Sequence, residues 1–301
     1  MEKITNLFKE DHFFQNLENN KTFFSPSSLE RSLFSLGVFL NEKKDIVIVE
    51  SNLYEAQKTY EFLSKIIKNN SVLPFFFDET LRIETIASSK DFLSKRIETL
   101  NEILRSGKKK IIVTHTLGFI HYLISKDDFK ENKLILSAKQ ILDREKLILK
   151  LQKMGYKKRI KVENVMEYSY RGEVVDVFSL NESNPTRIDF FDNQIESIKE
   201  FSLNTQRTIK KREKVEILIA SEFALDFDLN LKQKVENYLN QNLKNIPQNS
   251  YLKLKSIIEE DFSFSEDEFV FENKHLKYVP FLEKNLTLKD YLKDDTIIIF
   301  N

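Results

Sequence analysis

The chain has 301 residues, with 47 Lys+Arg against 47 Asp+Glu, so it carries no net charge and is long enough for two or three domains. Neutrality argues against a protein that coats nucleic acid by bulk charge, although a local basic patch stays possible. The absence of cysteine excludes a disulfide framework and any thiolate metal site.

The N-terminus, MEKITNLFKEDHFF, is charged throughout and has no signal pattern. The apolar runs are too short to span a bilayer, so a soluble cytoplasmic protein is expected. There are five glycines. None falls in a G-x-x-x-x-G-K-[ST] arrangement, so no phosphate-cradling loop of that type exists.

In chain order, SLERSLFSLGVFL reads as a helix with Leu29, Leu33, Phe34 and Leu36 at helical spacing. DIVIVE (45–50) is an apolar strand. NLYEAQKTYEFLSKIIKN is an amphipathic helix whose stripe is Leu53, Ala56, Tyr60, Leu63 and Ile67. VLPFFF (72–77) is extended, SSKDFLSKRIETLNEILRSG is helical, and KKKIIVTHT is a further strand. Strands separated by helices imply crossover connections and a parallel sheet covered by helices.

After about residue 125 the pattern changes. KLILSA is a strand and DREKLILKLQKMGY a helix ending at Gly155. From 160 to 205 the signal is all β, and GEVVDVF and TRIDFF are expected to pair as an antiparallel hairpin across the NESNP loop. This reads as an inserted α+β module over 126–208, between a first half over 1–125 and a second half over 209–301. KVEILIA (214–220) is expected to resume the parent sheet, QKVENYLNQNL to be a helix, YLKLKSIIEEDFSFSEDEFVFENK an irregular acidic surface segment, and DDTIIIF a last strand.

Sites of catalysis are not apparent. His12, His115, His121 and His275 have no carboxylates at ligand spacing, so they read as packing or surface residues, with no metal expected. The run RTIKKREK (207–214) reads as a solvated connector or as a contact to a phosphate backbone.

TRIDFF carries more. Side chains alternate along a strand, so Thr186, Ile188 and Phe190 form one face and Arg187, Asp189 and Phe191 the other. With Ile188 and Phe190 suited to the core, Arg187 and Phe191 look outward, roughly 13 Å apart. The parity of Arg171 is ambiguous, and Gly172 permits a bend or bulge that turns it outward. One reading is an interaction hot spot, in which Arg offers a planar fork for a carboxylate and Phe a ring to bury. The other is an Arg187–Asp189 surface pair with Phe191 tucked under the next turn.

Here the residues become familiar. EYSYRGEVVDVFSLNESNPTRIDFFDNQIESIKEFSLNTQRTI resembles the second domain of the bacterial transcription-repair coupling factor (Mfd) family, through the frame R-G-x-φ-φ-D-φ-F, P-x-R-I-[DE]-F-F, D-x-x-I-[DE]-S-I and T-Q-R-[ST], where φ is apolar. DETL and RIETLNEIL upstream, and ASEF and VPFLEKNLTLKDYLKDDTIII downstream, fit that family in order. The excision-repair helicase UvrB has a related domain, which fits less well.

The resemblance implies an α/β fold: a degenerate helicase-like (RecA-like) parallel-sheet domain with the α+β module inserted. It implies no ATP site and no other cofactor, since FFSPSSLERSLF (23–34) stands where UvrB has its P-loop. It also implies a non-catalytic role, recruiting UvrA in transcription-coupled nucleotide excision repair. The family's contact residues map onto Arg171, Arg187 and Phe191, and replacing Arg187 or Phe191 is expected to weaken docking with stability nearly unchanged. The family continues beyond IIIFN, so the chain is expected to be a fragment whose parent meets RNA polymerase and double-stranded DNA through domains absent here. The alternatives are a divergent nucleotide-dependent helicase domain and a DNA-binding domain related to UvrB.

Overall fold

A computed structural model describes residues 27–67, 70–78, 90–105, 107–223, 229–263, 273–282 and 286–301. His12, the first four residues of FFSPSSLERSLF and the last three of DETL lie outside them. The chain divides into two compact units, one from the described parts of 1–81, 88–121 and 286–301, the other from those of 122–285.

The first unit contains α1 (Ser28–Asn41), β1 (Ile46–Glu50), α2 (Leu53–Ile66), β2 (Val72–Phe75), α3 (Lys90–Leu104), β3 (Ile111–His115) and the short α4 (Thr116–Ile120). Residues 286–301 return with α9 (Leu288–Tyr291) and β12 (Ile297–Phe300). Its four-stranded sheet is parallel, in the order β12-β1-β3-β2. Every residue of β1 and β3 is buried, which is why they read as continuous apolar runs rather than alternating ones. The core gathers Leu36, Val38, Phe39, Ala56 and Leu63 from the helices against Ile46, Ile48, Ile111 and Val113. Capping sets the helix starts: Ser27 accepts from the Glu30 amide, and Asn52 from that of Glu55. His115 is buried, and His121 stacks on Phe77.

The second unit holds α5 (Lys126–Glu131), β4 (Leu134–Ser137), α6 (Arg144–Lys153), β5 (Lys157–Lys158), β6 (Glu167–Arg171), β7 (Val174–Val177), β8 (Thr186–Phe191), β9 (Gln194–Phe201), β10 (Thr208–Arg212) and β11 (Lys214–Ile217), then α7 (Leu229–Gln241) and α8 (Gln248–Asp261). Strands β5 to β10 form one six-stranded sheet in the order β10-β9-β8-β7-β6-β5. It is antiparallel except for β5, which runs parallel to β6. The expected pairing of GEVVDVF with TRIDFF is present as β7 with β8.

Two expectations are corrected. KVEILIA does not resume the parallel sheet: β11 pairs antiparallel with β4 in a separate two-stranded sheet, Lys214 facing Ser137 and Ile217 facing Leu134. A buried apolar strand looks alike in either sheet, and only 286–301 rejoins the first unit. The stretch from Tyr251 begins regular, because Gln248–Asp261 is a helix, while its residues 264–272 lie outside the described ones. Lys and Glu are good helix formers, and charge there signals an exposed face rather than disorder. Asp261 ends this helix buried, accepting from Tyr278 Oη at 2.8 Å and paired with Lys277 at 2.6 Å. Ile258 and Phe262 pack there with Leu231, Val235 and Leu239. His275 is buried too. Of the bend or bulge that Gly172 permits, the bend is present. Gly172 has φ +57 and opens a two-residue turn between Arg171 and Val174, which face each other across β6 and β7.

No described helix is long and apolar enough to cross a membrane, and no described group of His, Asp and Glu could hold a metal ion.

Candidate functional site

In β8, Thr186, Ile188 and Phe190 are buried, Arg187 and Asp189 are half-buried, and Phe191 is 68% exposed. Each residue has directly facing partners, which share its side of the sheet. Ser169, Asp176, Arg187 and Lys199 make one row across β6 to β9. Arg171, Val174, Asp189 and Ser197 make the next, and Phe191 with Gln194 the third. The two-residue turn at Gly172 thus settles the parity of Arg171, on the same face as Arg187 and Phe191.

A bulge in β9 keeps this pattern intact. The register slips between Asp189 and Phe190, so that Ile195 faces Phe190 while Ile198 faces Ile188. Both isoleucines are buried although they are three residues apart, and Glu196, the extra residue, is exposed. The following turn closes through Asp192, at φ +50, and presents Phe191 at the end of the sheet beside Gln194.

The three candidate residues are in different states. Arg171 is exposed, and among the described residues no carboxylate lies within ion-pair distance of it. Arg187 is not bare. Its Nε donates to Asp176 Oδ1 at 2.8 Å and its Nη2 to Asp176 Oδ2 at 2.7 Å. Its guanidinium also lies 4.5 Å from the ring centroid of the fully buried Phe201. The hydrogen bonds it donates to Asp176 hold Arg187 still more firmly in its charged form. Asp189 pairs instead with Lys199, at 2.6 Å, and accepts from Ser197. The Arg187–Asp189 pair of the alternative reading is therefore absent, and Phe191 is not tucked under a turn. Strand parity could reveal which residues share a face but not which of them touch, because that requires the register of three strands.

Arg187 accordingly has a structural part that strand parity missed. We expect Arg187→Ala to lower unfolding free energy by about 1–3 kcal/mol, since Asp176 loses a bidentate partner and Phe201 its cover. Phe191→Ala should stay within about 0.5 kcal/mol of the native protein. Urea denaturation of the two variants side by side checks this.

Two of the five cations in the run 207–214 are engaged. Arg212 binds Glu200 at 2.6 Å and Glu182 at 2.8 Å, and Lys210 binds Glu200 at 3.2 Å. These pairs fasten β10 to β9 and to the loop after β7. They leave fewer free cations for a phosphate backbone than the bare sequence suggested.

Residues 134–223 match the UvrB interaction domain family. Over 310 residues, 98% of the chain, it is 28% identical to the transcription-repair-coupling factor of Staphylococcus aureus (strain bovine RF122 / ET3-1). The chain is similar to transcription-repair-coupling factors over nearly its whole length. The coupling factor of Bacillus subtilis (strain 168) is 25% identical over 314 residues, and that of Staphylococcus epidermidis (strain ATCC 12228 / FDA PCI 1200) 27% over 311. The chain spans 26% of the length of each of these coupling factors. The UvrB interaction domain match takes in β4 to β11 entire, and with them the face that carries Arg171, Arg187 and Phe191.

Proposed function

We propose that this face docks UvrA, and that the chain serves transcription-coupled nucleotide excision repair by recruiting it without catalysis of its own. The observation that carries the reading is Phe191, a large ring exposed at the end of a sheet, on the face that also holds the unpaired Arg171. Such a pair suits a partner offering an apolar pocket and a carboxylate. Arg187 supports the face from below. Its pair with Asp176 uses Nε and Nη2, which leaves Nη1 outside that pair.

The match to the UvrB interaction domain and the likeness to coupling factors support the choice of partner. On the same reading the first unit is a degenerate helicase-like (RecA-like) domain. Its parallel order and helical crossovers suit that descent. RNA polymerase and double-stranded DNA would be met by other parts of a longer parent.

The test is a calorimetric titration of purified UvrA with the native chain, Phe191→Ala and Arg171→Ala. Phe191→Ala should weaken binding by about 2 kcal/mol, or roughly thirtyfold. Arg171→Ala should weaken it less, and its effect should shrink as salt is raised. Native-like affinity in both variants would overturn the reading.

A further inference from the structure

Ile141 is 81% exposed, more than Phe191 itself. A lone surface isoleucine needs no explanation. This one is held in place by main-chain bonds. Residues 139–142 run antiparallel to the start of β9: the Lys139 amide donates to the Ile195 carbonyl at 2.7 Å, the Ile195 amide to the Gln140 carbonyl at 2.9 Å, and the Leu142 amide to the Asn193 carbonyl at 2.9 Å. Ile141 therefore faces Gln194, as Gln194 faces Phe191. Gln194 Nε2 also donates to the Lys139 carbonyl at 2.9 Å, tying the middle of the row to its outer strand.

Directly facing residues point to the same side, so Phe191, Gln194 and Ile141 form one row across three adjacent backbones. The two apolar ends are about 10 Å apart, twice the spacing between strands. The ribbon lies in the lane of β10, which pairs with β9 only from Ile198 to Phe201. The sheet therefore gains an added edge where Phe191 is displayed.

We infer that Ile141 is a second apolar anchor of the docking face, and that the UvrA surface covering Phe191 extends across Gln194 to Ile141. This rests on the docking function proposed above. The row asks for a partner strip with two apolar contacts about 10 Å apart, the span of two helical turns, and a polar atom between them for the Gln194 amide. A carboxylate to one side would meet Arg171. The row is positioned before binding by the main-chain bonds of Lys139, Gln140 and Leu142 to β9 and its turn, so covering it demands little ordering.

The experiment titrates purified UvrA with Ile141→Ala, Ile141→Asp, Phe191→Ala and, as a surface control at the far edge of the sheet, Ile160→Asp. Ile160 is fully exposed beyond β5. Ile141→Ala should bind about fivefold more weakly and Ile141→Asp more than tenfold, with Ile160→Asp unchanged. Thermal unfolding at the native midpoint is the fold control. If the aspartate variant is destabilised, Ile141→Ala, which adds no charge, carries the test. Native-like affinity of Ile141→Ala beside weakened Phe191→Ala would overturn the second anchor and leave the docking face standing. Native-like affinity of all four variants would overturn the docking function itself.

Discussion

Replacing Arg212 with methionine should cost about 3 kcal/mol of unfolding free energy, among the largest effects of any single side chain outside the apolar core. Arg212 reaches Glu200 through Nε at 3.1 Å and Nη2 at 2.6 Å, and Glu182 through Nη1 at 2.8 Å. Glu200 is buried and Glu182 half-buried, at 8% and 12% side-chain exposure. Removing their shared cation strands two charges where water reaches poorly, with only Lys210 and Asn184 left to Glu200. Burial alone would push the Glu200 carboxyl up. Hydrogen bonds from Arg212, Asn184 and Lys210 outweigh it and hold the group down at about 2.

A carboxyl depressed on folding adds stability that is present in full above its unfolded value of about 4.5 and lost as pH falls toward 2. Urea denaturation from pH 7 to pH 2.5 should therefore show the native protein weakening below about pH 4.5. Arg212→Met should start lower and lose less across the same window, because its Glu200 titrates closer to the ordinary value. Parallel pH profiles in the two proteins would contradict this account.

The second large effect is expected at Gly155, which follows α6 with φ +91. A Cβ there would lie 2.6 Å from Ser221 Cβ and 3.1 Å from the Ser221 amide nitrogen. The two segments cannot simply part, because the Ala220 amide donates to the Met154 carbonyl at 2.8 Å. Next to it, the Tyr156 hydroxyl donates to the Leu218 carbonyl at 2.7 Å. Gly155→Ala combines an unfavourable backbone conformation with overpacking, for a loss of roughly 3 kcal/mol. Adding Ser221→Gly should recover the steric part and leave the conformational part. A double-mutant cycle by chemical denaturation measures the division, and strict additivity would show that the two residues do not collide.

These two sites illustrate what could and could not be read beforehand. The alternation in TRIDFF was enough to orient Ile188, Phe190 and Phe191, because one face of that sheet is buried and the period of two is strict. The partners of Arg187 and Arg212 were out of reach. Asp176 lies eleven residues from Arg187, and Glu200 twelve from Arg212. Such pairs depend on register, and that of β10 on β9 shifts between Thr208 and Lys210 with no glycine or proline to announce it. Ile141 was hidden for a related reason: it sits in a loop that becomes an edge only by bonding to a strand about fifty residues later. The helical first half was legible through its apolar stripes. The fate of KVEILIA was not, since four apolar-rich residues fit an antiparallel pair with β4 as well as a parallel place beside β1.

The return of β12 to the edge of β1 has a consequence for how the protein is made. Ile297 faces Ile46 in a parallel pair, with some 250 residues between them, and the Asn301 side chain bonds Glu50 at 3.0 Å. On the ribosome, the intervening 122–285 unit emerges whole and is free to fold while the earlier sheet still lacks a strand. Closing that sheet waits for the last residues shown here and for a long-range search that local contacts cannot shorten. Until then the apolar edge of β1 stands open, a transient hazard for wrong pairing that nascent-chain chaperones would be placed to shield.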